Sequence, residues 1–406
     1  MKLCGMKNVL ISGASVAGPA LALWLHRAGY SVTIVEKAPD LRDGGYAVDF
    51  RGDVHLGLLR KMGVLDDIEA AETNMGATSY VKANGKRIAT MPEDMFAGDV
   101  EILRGDLARI LYERTRPYTE YLFGETITAM REDADGVTVS FEHAEPRRFD
   151  LVVGADGLHS GVRRLAFGPE ERFVRHLGLH CAVFTVPNHL NLDREGLGYV
   201  TPGRVALMYA ARDNTEARAM FYFASGSLGL ERLSPDAQRR LVAETFAGAG
   251  WETDRLLAAM DDAPDFYCDA VAQVRMESFT LGRVALIGDA AFSPSPLSGM
   301  GTGLALVSAY VLAGELAAAH GDHEAAFARY QEKIAEYARG CIKQGDGVAK
   351  FMVPASKAMA ALLRISSRMM PYMPGKKAMA RGVRRTAEAI SLPAYPLGEG
   401  DRAAQP

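Results

Sequence analysis

The chain has 406 residues, 48% apolar and 24% charged, which exceeds one typical domain, supports a large core and argues against global disorder. A net charge of −4 with no run of basic residues gives no support to nucleic acid or an anionic membrane as partner. Four cysteines (Cys4, Cys181, Cys268, Cys341) stand far apart with no C-x-x-C pair, which argues against zinc, a dithiol redox centre or a secreted disulfide framework, and no metal is expected.

No long apolar stretch precedes the first strand, so a signal peptide is not expected and a reducing cytoplasm is the simplest compartment. Residues 7–12 (KNVLIS) read as a buried strand, 16–28 as a helix closed by Gly29, and 31–37 (SVTIVEK) as a second strand. Strand, helix and strand within about thirty residues predict a parallel βαβ unit with a right-handed crossover. Helices are expected at 53–63 and 104–116, and short strands at 121–149, with 136–142 the clearest. Another apolar strand (150–157) ends in a turn containing Asp156 and Gly157. Alternating segments such as 203–212 and 216–225, with a helix near 235–248, predict a mostly antiparallel sheet covered on one side. The parallel-strand type returns at 283–289 and a helix at 301–319. Its apolar stretch 303–319 contains Glu315 and reads as a buried helix rather than a membrane span. Helical patterns fill 322–350 and 354–390, and the tail from Leu392 is expected to be loose.

The fold class is therefore α/β, with a nucleotide-binding layer built from discontinuous pieces. Residues 1–75, 101–171 and 276–320 are expected to form that layer. Residues 76–100 and 172–275 form an inserted sheet domain, and 321–406 a C-terminal helical region.

The turn GASVAG joins the first strand to the first helix. Gly13 falls where the backbone turns sharply, and Gly18 where a Cβ would hold helix and strand apart. Between them Ser15, Val16 and Ala17 open the helix, whose N-terminus attracts a negative pyrophosphate. Ser15 replaces the usual middle glycine, and its hydroxyl is expected to donate to a phosphate oxygen. Glu36, followed by Lys37, ends the second strand about where a ribose-binding acid is expected, which favours FAD or NAD over NADP in this site. Without this context the two glycines would be ordinary turn residues. The spacing is one residue too long for the G-x-S-x-G elbow of a serine hydrolase.

The stretch GRVALIGDAAFSPSPLSGMGTGLAL delivers Asp289 at the carboxyl end of a strand, where ligands of open parallel sheets sit. A loop with Pro296 and Leu297 follows, and Gly299, Met300 and Gly301 open the long apolar helix. Such an entry allows close backbone approach to a flat heterocycle.

These motifs resemble those of the class A FAD-dependent aromatic monooxygenases, the group of para-hydroxybenzoate hydroxylase and the tetracycline-modifying flavin monooxygenases. Besides GASVAG, the motif D-G-x-x-S-x-V-R is present as Asp156, Gly157, Ser160, Val162 and Arg163. The motif G-D-A-A-H-x-x-x-P-x-x-G-x-G is present as Gly288, Asp289, Ala290, Ala291, Pro296, Gly299 and Gly301. The resemblance spans about residues 7–320. It implies a Rossmann-like FAD-binding domain with an inserted, mostly antiparallel substrate sheet. By it, Asp289 binds the ribityl hydroxyls and the Gly299–Gly301 backbone faces the flavin pyrimidine. Asp156 supports the loop near the pyrophosphate, Arg104 packs near FAD, and the Gly44-Gly45-Tyr46 loop runs past the ring. Phe292 stands where the family has histidine, which removes any proton relay there.

The resemblance further implies that NADPH or NADH reduces FAD. O₂ then forms a flavin hydroperoxide, and the distal oxygen passes to an aromatic or polyketide-like small molecule. Tyr199, Met208, Phe221 and Phe223 are expected either to line a substrate pocket opposite the Pro296–Leu297 loop or to be plain sheet core. No general base can be named; His180 and Tyr222 are the candidates. Baeyer–Villiger oxygenation on the same fold and a non-catalytic FAD- or aromatic-binding protein remain open. A halogenase lacks its W-x-W-x-I-P segment here, and a disulfide-reducing flavoenzyme lacks its dithiol. A monomer or weak homodimer is expected.

Overall fold

The fold begins with the strand Asn8–Ser12, the helix Ala17–Arg27 and the strand Ser31–Glu36, the strands buried along their central residues. The computed structural model describes residues 7–91, 98–369 and 376–398, so Cys4 and the last eight residues lie outside the described part. Asn8–Ser12 pairs in parallel with Ser31–Glu36 on one side and Leu151–Gly154 on the other. The six-stranded sheet runs Thr280–Leu281, Val284–Leu286, Leu151–Gly154, Asn8–Ser12, Ser31–Glu36, Thr119–Phe123, parallel except at the Thr280–Leu281 edge. Continuous apolar strands such as Val9-Leu10-Ile11 fit a sheet covered on both faces. Across one face the helices Ala17–Arg27 and Gly301–Ala318 pack together, with Trp24 and Tyr310 edge to face at 5.0 Å.

The second sheet has seven strands in the order Tyr267–Val274, Val174–Val186, Glu216–Ala224, Arg204–Ala211, Gly196–Thr201, Thr78–Val81, Arg87–Met91. Its pairs are antiparallel except Gly196–Thr201 with Thr78–Val81. The sequence pattern suggested one covered face, but both are covered. Helices Pro235–Phe246 and Thr253–Asp261 bury one face through Val242, Phe246, Leu256 and Met260. Tyr46, Leu297, Met352, Val353 and Leu363 pack on the other.

The helix Gly301–Ala318 is long and apolar enough to cross a membrane, yet 78% of it is buried inside the protein. Its Glu315 is buried and satisfied, accepting from Arg329 Nε at 2.6 Å and Tyr395 Oη at 2.7 Å. Residues 392–398, the described part of the tail, are irregular but docked, which corrects the expectation of a loose tail over that stretch. Gly314 supplies the space for the Tyr395 ring, and Tyr310 donates to the Pro393 carbonyl at 2.8 Å.

Candidate active site

Two glycines set the first turn. Gly13 has φ +108°, and a Cβ there would lie 2.4 Å from the Ala155 carbonyl oxygen. A Cβ on Gly18 would lie 2.0 Å from the Gly13 carbonyl oxygen. Strand, helix and the 154–157 turn therefore meet at van der Waals limits. The helix that follows carries no side-chain cap, so its first N–H groups are free for an acceptor. Ser15 Oγ accepts from Arg104 Nη2 at 3.0 Å, and Glu36 accepts from the Ala14 and Ala38 amides at 2.9 and 3.0 Å.

Two cavities share Ser15 and Arg104. The outer, about 720 Å³, is lined by Glu36, Arg42, Gly44, Gly45 and Asp265 among others. Here two glycines are required by close approach. A Cβ on Gly44 would strike the Asp265 carboxylate, and one on Gly105 would come within 2.7 Å of the Gly44 amide. The inner cavity, about 440 Å³, is lined by Val16, Ala17, Asp289, Pro296, Leu297, Gly299 and Gly301. The Asp289 carboxylate is exposed only in the sense that it opens into this cleft; the dense protein around it raises its pKa, with Arg104 opposing. Ser295, at φ +76°, lines the same wall, and its buried Oγ has no partner among the described residues. An uncapped helix start, an acid at the second strand end and an orphaned hydroxyl in one connected cleft fit a dinucleotide carrying a flat ring.

The middle motif acts as a brace. Asp156 accepts from the Val162 amide at 3.0 Å and from Ser160 Oγ, while Ser160 caps the helix Gly161–Phe167. Arg163 is fully buried and donates from Nη1 to the Ala290 carbonyl at 2.9 Å. The second and third motifs are thus tied together by one guanidinium. Asp156 itself lines neither cavity, although Ala155 and Gly157 line the inner one. Lys37 is exposed and Met300 is buried in the core; neither lines either of these two cavities. Phe292 is also core, edge to face with Phe279 at 5.3 Å.

The expected substrate wall needs correcting. Tyr199, Met208, Phe221 and Phe223 lie on the sheet face packed against helices Pro235–Phe246 and Thr253–Asp261, away from the Pro296–Leu297 loop. Side chains alternate along a strand, so the cavity side belongs to the neighbouring positions Leu207, Tyr209, Met220 and Tyr222. His180 shares the far face, stacked on Phe223 at 5.3 Å, and burial lowers its pKa to about 4. Tyr222 does line the inner cavity, but burial pushes its pKa well above 10, which suits a hydrogen-bond donor and not a base.

Tyr46, expected beside the ring, lines this cavity, and several further lining residues had no motif to reveal them: Asp49, Arg51, Glu101, Gln344 and Met352. Asp49 and Glu101 face each other across the short antiparallel ribbon Ala47–Phe50 and Val100–Leu103. Arg51 pairs with Asp49, whereas Glu101 takes a hydrogen bond from Thr73. Burial pushes Glu101 from 4.5 up to about 7. On raising the pH the unfolded chain ionises first, near 4.5, so this group costs folding stability progressively between about 4.5 and 7. Glu101→Gln is therefore expected to stabilise the fold by about 1–3 kcal/mol at pH ~8 and by much less at pH ~5. Thermal melts at the two pH values check this; an equal gain at both would refute it.

The model of the FAD-binding domain family matches residues 6–344. A flavin-dependent monooxygenase of Legionella longbeachae is 36% identical over 392 residues, covering 96% of this chain and 98% of its own. An uncharacterized protein of Mycobacterium tuberculosis is 47% identical over 335 residues, covering 81% of this chain and 90% of its own. The crystal structure of the tetracycline destructase Tet(51) superposes with a TM-score of 0.84 at 34% identity, covering 96% of this chain and 99% of that one. The chain belongs to the FAD-binding domain family, and with these relatives it is an FAD-dependent monooxygenase.

Proposed function

We propose that the protein uses NADPH or NADH as electron donor and places one oxygen atom from O₂ on a fused-ring aromatic or polyketide-like molecule. The observation that carries this is the inner cavity. Asp289, Gly299 and Gly301 form one wall, and Leu297, Val348, Met352 and Val383 form an apolar one beside Tyr46 and Tyr222. The likeness to a tetracycline destructase at 34% identity supports a bulky ring system over a small benzoate.

When bound, FAD supplies the redox and oxygen-transfer chemistry. The chain's share is positioning. Glu36 receives the ribose, the 13–18 turn with Ser15 and Arg104 receives the pyrophosphate, and Asp289 with the Ser295–Gly301 backbone receives the ribityl chain and ring. Tyr222 donates a hydrogen bond toward the substrate, and the apolar helices exclude water that would waste reducing equivalents. On this reading residues 1–75, 101–171 and 276–320 serve the cofactor, and 76–100 and 172–275 the substrate.

The test is to purify the protein with its flavin and screen fused-ring aromatics for stimulation of NADPH and NADH oxidation, with product mass gaining one oxygen. Retained FAD without stimulated oxidation by any such compound would point instead to a binding protein.

A further inference from the structure

The whole-chain charge conceals a local asymmetry. Residues 347–387 contain nine lysines and arginines and no aspartate or glutamate, although the chain's net charge is −4. Among the described residues nine large hydrophobic side chains are exposed, and five of them fall within residues 351–369. Phe351 is 74% exposed, and on the helix Lys357–Met369 the exposures are 41% for Met359, 63% for Leu362, 58% for Ile365 and 59% for Met369. Spacings of three, three and four put those four on one side of the helix. The opposite side is already used: Ala360 is buried and Leu363 packs on the sheet core, with the helix lying against Arg87–Met91 and Gly196–Thr201. The outward stripe is not needed to hold the helix in place.

From this we infer that the C-terminal helices form a peripheral docking face for an anionic membrane surface. An apolar stripe flanked by cations is the pattern of a helix lying in the headgroup region, where apolar burial and attraction to anionic lipid act together. Lys357, Arg368 and Arg385 are exposed and available, whereas Arg384 is engaged by Asp99 and Glu388. A cluster of exposed apolar side chains within a segment whose own charges are all positive fits this partner better than a neutral protein surface. The inner side of the same region lines the cavity through Val348, Met352 and Val383. Docking would therefore bring the cavity's apolar wall to the side of the protein nearest the bilayer. The inference does not depend on which substrate the enzyme takes.

The test is sedimentation of the full-length, FAD-loaded protein with phosphatidylcholine vesicles, alone or containing phosphatidylglycerol, at low and high salt. Binding to the anionic vesicles should be at least about tenfold stronger and should collapse at high salt. Arg368→Gln and Arg385→Gln should each weaken it about fivefold. Leu362→Glu with Ile365→Glu should abolish it at unchanged FAD content; if that variant loses flavin, the two arginine variants decide. No binding, or equal binding to both vesicle types, would overturn the inference. So would a concentration-dependent dimer that Leu362→Glu dissociates, because the face would then belong to a second copy.

Discussion

Gly18→Ala is expected to yield protein with little or no bound FAD and a sharply lowered melting temperature. The added Cβ would sit 2.0 Å from the Gly13 carbonyl oxygen and 3.3 Å from Ile11 Cγ2, so helix Ala17–Arg27 must move off the strand. Nothing there is the end of a flexible side chain that could turn aside. Gly13→Ala should be as severe, because a positive φ adds to a 2.4 Å contact with the Ala155 carbonyl oxygen. Losses above about 3 kcal/mol are expected for each. Gly29→Ala is the control. It shares the left-handed conformation, at φ +81°, but a Cβ there meets nothing within 4 Å, so it should cost only about 1–2 kcal/mol and keep its flavin. The ratio of flavin to protein absorbance and a thermal melt separate the three. Normal flavin content in Gly18→Ala would show that the helix start can shift without harm, contrary to this account.

What was legible in the sequence follows from how many physical demands converge on a residue. Gly13, Gly18 and Asp289 sit where backbone crowding or strand topology permits few alternatives, and their spacing shows it. Arg163 was visible only as one letter of a motif; its role as the brace from Ser160 to the Ala290 carbonyl needed the third dimension. The substrate wall was misread for a reason that lies in the sheet. Both faces of Arg204–Ala211 and Glu216–Ala224 are covered, so apolar residues occupy odd and even positions alike, and the alternation does not mark the side facing the cavity. Phe221 and Tyr222 are adjacent in sequence and on opposite sides of a layer. Glu101 was invisible because its environment is assembled from Thr73 and its ribbon partner Asp49, both distant in the chain. Ser295 carried no signal either, since serine in a Gly/Pro loop is ordinary until its strained φ and unpaired hydroxyl are seen.

Asp289→Ala and Phe292→Ala, only three positions apart, should fail in different ways. Asp289 opens into the inner cavity at the end of a parallel strand, with Arg104 as its electrostatic partner. Removing its carboxylate deletes a charged hydrogen-bond acceptor for the cofactor and leaves the core untouched. A charged hydrogen bond contributes about 1.5–3 kcal/mol, so FAD affinity should fall roughly 10- to 150-fold with the apo-protein melting temperature nearly unchanged. Phe292 points the other way, into the core against Phe279, which in turn packs edge to face on Tyr330 at 5.5 Å. Truncating a buried phenylalanine costs about 3–5 kcal/mol through lost burial and the cavity left behind. Phe292→Ala should therefore melt early, while the folded fraction binds FAD within about threefold of the parent. Phe292→His tests the departure from the family pattern directly. An imidazole at this position would be buried in the core beside the apolar Phe279 ring, so it should destabilise the fold without creating a proton path to the cavity. Flavin titration of the apo-proteins below their melting points gives the affinities, and melts without flavin give the stabilities. If both variants lost flavin equally and melted alike, residues 289 and 292 would share one environment, and the division between cavity and core drawn through this loop would be wrong.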